Sequence, residues 1–163
     1  MRLVSLTVSG YRQYLDQITL QIPPGLIGIC GPNGVGKSKL IEAIGYALYG
    51  PASAILPRTD RVADLPAKAG KVTPCVELEI EIRGQHYVIC RTTRGKTSIQ
   101  LHGATDLIAD GASAVTQKVI ELLRLTADAF CGTFVARQNE VAGLQSIDSN
   151  RRSRADRSWT ACL

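Results

Sequence analysis

Residues 31–38 read GPNGVGKS, two glycines five positions apart followed by Lys37 and Ser38, the spacing of a loop that wraps nucleotide phosphates. Gly31, Gly34 and Gly36 carry no Cβ, so backbone N–H groups can curl around phosphate oxygens, with Pro32, Asn33 and Val35 completing the cradle. Lys37 adds a point charge. Ser38, in the first turn of a following helix, is placed to give its hydroxyl to Mg²⁺ while the helix N-terminus aims its partial positive charge at the same phosphates.

The flanks follow the order that such a loop requires. Leu26 to Cys30 (LIGIC) is a short continuous apolar run, which predicts a strand buried on both faces. Beyond the loop, Leu40, Ile41, Ile44, Ala47 and Leu48 recur at helical spacing until Gly50 and Pro51 end the pattern. A glycine-rich turn with an incidental Lys-Ser pair would not need this strand, loop and helix.

Upstream, Val4, Leu6 and Val8 alternate with polar residues, and Ile18, Leu20 and Ile22 repeat the alternation, giving two half-buried strands before the loop. Residues 51–72 hold three prolines without a sustained period and read as a surface connection with one short helix. Val76, Leu78, Ile80 and Ile82 then alternate with Glu77, Glu79 and Glu81 before Arg83-Gly84-Gln85 turns into Tyr87–Arg91. Strands at 97–101 and 106–109 continue a small antiparallel meander. Ser113 is a candidate N-cap for a helix to about Leu125, and Thr126 with Asp128 starts a shorter helix through Phe134.

At 163 residues, 45% hydrophobic and 20% charged, the chain has the size of one domain and the apolar content to bury a core. No apolar run approaches a membrane span, and the first ten residues lack a cleavage pattern, so no membrane association and a cytoplasmic location are expected. Five cysteines, at 30, 75, 90, 131 and 162, form no C-x-x-C pair and are expected to be reduced, small buried thiols. His86 and His102 have no Cys or acidic partner at ligand spacing. Arg151, Arg152, Arg154 and Arg157 against Asp156 place +3 of the formal +5 in residues 151–163, so the basicity is largely a tail effect and weak support for a nucleic-acid partner.

Taken in this order, residues 1–148 resemble the N-terminal half of the AAA/ABC-type ATPase head of SMC-like double-strand-break repair ATPases, nearest the exonuclease subunit SbcC and its relatives. The resemblance rests on Gly10-Tyr11-Arg12 after the first strand, the loop with Asn33, the helix IEAIGYALYG, the hairpin ending in Tyr87–Arg91, and FVARQNE from Phe134 to Glu140. It implies an α/β P-loop NTPase lobe with an adjoining antiparallel sheet, binding ATP and Mg²⁺. Gln138 would be the Q-loop glutamine, touching metal and attacking water, and Arg12 would lie near the base or α-phosphate. The implied partners are a C-terminal half of the same head, a second head in an ATP-dependent dimer, a nuclease subunit such as SbcD, and DNA.

Other family features are missing from this sequence: an apolar run ending in Asp-Glu, a glycine-rich signature loop and a switch histidine. ATP hydrolysis is therefore expected only in an assembled head, with the isolated chain inactive. Residues 149–163 (SNRRSRADRSWTACL) do not continue as the charged helix the family would begin there, and are expected to be a disordered tail or a truncation artefact. A non-catalytic truncated ATP-binding fragment remains an alternative. So does a stand-alone P-loop kinase, with Arg91, Arg94 and Lys96 in a lid over the phosphates.

Overall fold

The computed structural model describes residues 1–52, 73–93 and 95–134. Gln138, the connection at 53–72 and the segment 149–163 lie outside the described residues. Six strands form one fully antiparallel sheet: β1 (Arg2–Ser9), β2 (Ile18–Gln21), β3 (Cys75–Ile82), β4 (Gln85–Thr92), β5 (Thr97–Leu101) and β6 (Leu107–Asp110), in spatial order β2-β1-β3-β4-β5-β6. Among the described residues three α-helices accompany it: α1 (Lys37–Tyr49), α2 (Ala112–Leu123) and α3 (Ala127–Phe134).

The alternation seen in the sequence sets the sheet's two faces. Leu6, Val8, Val76, Leu78, Ile80, Ile89 and Ile99 are buried and share the core with Ala43, Tyr46 and Ala47 of α1 and Val115 and Val119 of α2. Cys75, Glu77, Glu79 and Glu81 occupy the alternate positions of β3 and are buried less deeply. The β3–β4 hairpin turns through two residues, Arg83 and Gly84, at φ 53° and 79°. Two successive positive φ values match the right-handed twist of the flanking strands.

The predicted strand at 26–30 is not formed: Leu26, Ile27 and Ile29 are exposed, and so is Cys30. A strand of this composition is stable only between neighbours that cover both faces, and no described strand pairs with it. Ser113 is not the cap of α2 either. Asp110 accepts the Gly111 N–H at 2.9 Å, turning the chain so that Gly111 becomes the N-cap. Thr126 does cap α3, its Oγ1 accepting from the Ala129 N–H at 3.3 Å.

Arg91 joins sheet and helices. It is only 2% exposed, and it lies among backbone carbonyls. Its Nε donates to the Ala47 carbonyl at 2.6 Å and its Nη2 to that of Leu48 at 3.1 Å, both in the last turn of α1. The same guanidinium reaches Thr116 Oγ1 at 2.8 Å and the Ala112 carbonyl at 3.4 Å in α2. Burial pushes its pKa down to about 10, and the negative end of the α1 dipole helps it keep its charge. Gly50, at φ 67°, ends α1 where a Cβ would come within 3.2 Å of Arg91 Nη1.

Replacing Arg91 by Ala would take the donor from the Ala47 and Leu48 carbonyls, while Thr116 Oγ1 and the Ala112 carbonyl keep their bond to each other, and would leave a void beneath α1. A loss of about 3–5 kcal/mol in urea unfolding is expected, and Arg91→Lys should recover only a minor part, because one ammonium cannot span both helices.

Candidate functional site

The phosphate-type loop leads directly into α1, with Gly36 as its N-cap at φ 104° and Gly34 at φ 85°. Only glycine adopts both conformations without strain. A Cβ on Gly36 would stand 2.9 Å from Tyr14 Oη, so the loop is closely packed at this point. Lys37 Nζ folds back to donate to the carbonyls of Gly31 at 2.6 Å and Pro32 at 2.7 Å. Both partners are neutral, so they leave the ammonium charge uncompensated at the mouth of the loop. The first turn of α1 contains no acidic residue to offset the helix dipole. Ser38 is on that turn, and Pro32, Asn33 and Val35 are exposed along the loop.

Tyr11 to Tyr14 form a tight turn beside the loop, with the Tyr14 N–H on the Tyr11 carbonyl at 2.9 Å. Gln13 Nε2 donates to the Gly34 carbonyl at 3.4 Å. Arg12, at φ 58°, occupies left-handed backbone that costs a non-glycine residue about 1–3 kcal/mol. An ion pair compensates: Arg12 Nη2 donates to Glu42 Oε2 at 3.2 Å, and the other oxygen of Glu42 holds Lys39. Tyr11 is buried with its ring 6.0 Å from Tyr46, and burial raises its phenol well above the usual range. Arg12 is therefore brought beside the loop by a strained turn, a tyrosine pair and a buried carboxylate.

Glu42 is the residue that sequence reasoning missed. It is 8% exposed, although Ile41 beside it faces outward. The available signal was its place on α1, four residues before Tyr46 and seven before Tyr49, on the stripe that turns inward. Arg91, proposed above as one residue of a kinase-like lid, is instead buried under α1. His86 and His102 do have an acidic partner: their Nδ1 atoms lie 2.7 and 3.3 Å from Glu79 Oε1, brought there by strand pairing. Even so, no group of three or more His, Cys, Asp or Glu among the described residues could hold a metal ion. A divalent cation at the loop would take Ser38 as its described side-chain ligand and the rest of its oxygens from phosphate and water, as suits Mg²⁺.

Gly36→Ala tests the loop's construction. Forcing φ 104° on alanine and driving Cβ against Tyr14 should lower stability by about 1–3 kcal/mol in urea unfolding. Adding Tyr14→Ala should recover the contact part and not the backbone part.

The family model for an AAA domain matches residues 5–149. The DNA double-strand break repair Rad50 ATPase of Halobacterium salinarum is 32% identical over 163 residues, covering 96% of this chain and 18% of the relative. The SbcC component of the nuclease SbcCD of Bacillus subtilis is 26% identical over 169 residues, covering 93% and 15%. The chain thus spans less than a fifth of the length of these curated relatives. A solved SMC ATPase, described for ATP-driven dimerization and DNA-stimulated activation, matches the fold with a TM-score of 0.64 at 18% identity, over 94% of this chain and 96% of that one. No helix among the described residues is long and apolar enough to cross a membrane. An antiparallel sheet carrying a glycine loop at the head of α1, with these relatives and this family match, shows that the chain belongs to the AAA domain family, as the N-terminal portion of an SMC/Rad50-like ATPase head.

Proposed function

We propose that this chain supplies the phosphate-binding half of an ATPase head that works in DNA double-strand-break repair. The carrying observation is Lys37, whose ammonium is held by the Gly31 and Pro32 carbonyls at the positive end of α1, a setting that attracts a polyanion. ATP would displace one or both carbonyls and take the Lys37 charge on its phosphates. Mg²⁺, held by Ser38 and by Gln138, would neutralise charge developing on the phosphates. Arg12, fixed by Glu42, would lie along the nucleotide's α-phosphate or base. Gln138 would orient the attacking water.

The exposed run from Leu26 to Cys30 supports a complementary C-terminal half as partner. An unpaired apolar segment leading into the loop is what a strand looks like before its neighbours are added. Hydrolysis needs positioned water, metal and opposing charge together, so turnover belongs to the assembled head. A second head engaged through ATP, a nuclease subunit of the SbcD kind and DNA complete the proposed assembly. A cytoplasmic location is part of the same reading.

Lys37→Ala should weaken ATP binding by about 1.5–3 kcal/mol, roughly 10- to 150-fold in Kd by calorimetric titration, with the fold retained. An unchanged Kd in a folded variant would remove the phosphate site. Gln138→Ala should spare affinity and depress hydrolysis once the head is reconstituted with a C-terminal half; equal loss of binding in both variants would refute its role. Strong Mg²⁺-dependent turnover by the 163-residue chain alone, abolished by Lys37→Ala, would favour a self-sufficient enzyme.

A further inference from the structure

The thiols of Cys75 and Cys90 touch. Their sulfurs lie 3.6 Å apart on neighbouring strands, although 15 residues separate them in sequence. The register pairs Cys75 with Thr92 and Glu77 with Cys90, so the two cysteines are diagonal neighbours. Both sit at partly covered positions on the face of the sheet turned away from the buried core positions, and a small oxidant can reach them. Closing the contact to a disulfide bond of about 2.0 Å asks for a sulfur movement of about 1.5 Å, and because diagonal cross-strand neighbours stand near the bridging limit the bond would draw the two strands together locally.

We propose that Cys75 and Cys90 form a peroxide-sensitive thiol pair that oxidises to a cross-strand disulfide. In the first step one thiolate of the pair attacks a hydroperoxide: an S–O bond forms, the O–O bond breaks, and the alcohol or water leaves, so that this cysteine is a sulfenic acid. In the second step the sulfur of the other cysteine attacks it, the S–S bond forms, the S–O bond breaks, and water departs with the second thiol's proton. Two thiols lose two electrons to one peroxide bond.

The sulfur–sulfur contact, in which either thiol can donate, stabilises the thiolate of whichever member is deprotonated, so one sulfur of the pair is the nucleophile and its neighbour the resolving thiol. The bond would fasten the first residue of β3 to β4 beside Arg91, the residue that grips the last turn of α1.

The test treats the whole chain with limiting hydrogen peroxide, blocks remaining thiols with an alkylating agent, and maps peptides by mass spectrometry without reduction. A Cys75–Cys90 linked peptide should appear, with two thiols lost per chain and no disulfide-linked dimer required. With either cysteine changed to serine the linked peptide should be lost, and in at least one of the Cys75→Ser and Cys90→Ser variants the remaining cysteine should accumulate as a sulfenic acid captured by dimedone. Exposed Cys30 serves as the internal control. If Cys30 is oxidised while Cys75 and Cys90 are both recovered alkylated, or if only intermolecular bridges form, the proposal is overturned. Because the decisive measurement is made on the unaltered chain, a variant that folds poorly does not decide the result.

Discussion

A single buried guanidinium sets the position of everything near the nucleotide loop. Arg91 projects from β4 through the core layer and binds the carbonyl end of α1, so the helix whose other end begins at Lys37 is held at its far terminus by a charge. Such a group is costly to bury, and only acceptors on two helices make it tolerable. Satisfying it fixes where α1 and α2 meet the sheet, which a purely apolar contact would leave freer to slide. The Tyr46 hydroxyl, donating to the Thr92 carbonyl at 3.4 Å, holds the same end of the helix to the next residue of β4.

Fixing α1 also fixes the loop's surroundings. Glu42 lies on the inward stripe of that helix and reaches Arg12, whose left-handed backbone is stable because its side chain is held. The Tyr11–Tyr14 turn in turn presses on Gly36. The loop, the strained turn and the helix therefore form one connected unit, and a change at Glu42 would be felt at Arg12 without any direct touch on phosphate.

Much of this was legible in the sequence because it is local. The β3 alternation, the Arg83-Gly84 turn and the apolar period of α1 each declare their element within a few residues. The glycine loop did so through spacing alone. What was not legible depends on partners far along the chain. Arg91 looks like any strand arginine until its helices are placed. Glu79 meets His86 and His102 only through strand register, and the same is true of the Cys75–Cys90 contact, where widely spaced, buried thiols had been expected. Residues 26–30 failed for the opposite reason: their composition describes a strand correctly, but composition does not supply neighbours. Ser113 lost the capping position to Gly111 because Asp110 turns the chain earlier.

The strand order separates near from far in another sense. β3 to β6 are joined by successive short turns, whereas β1 sits between β2 and β3, so Arg2 and Glu81, which form an ion pair, lie 79 residues apart. Bringing such distant residues together costs chain entropy that no local contact offsets at the outset, and each doubling of the enclosed loop adds only about 0.6 kcal/mol more. The ordering cost therefore falls on making the long closure at all. Contact order nonetheless favours a route in which the β3–β6 meander assembles early and β1, carrying β2 and the Arg12 turn with it, closes onto β3 afterwards.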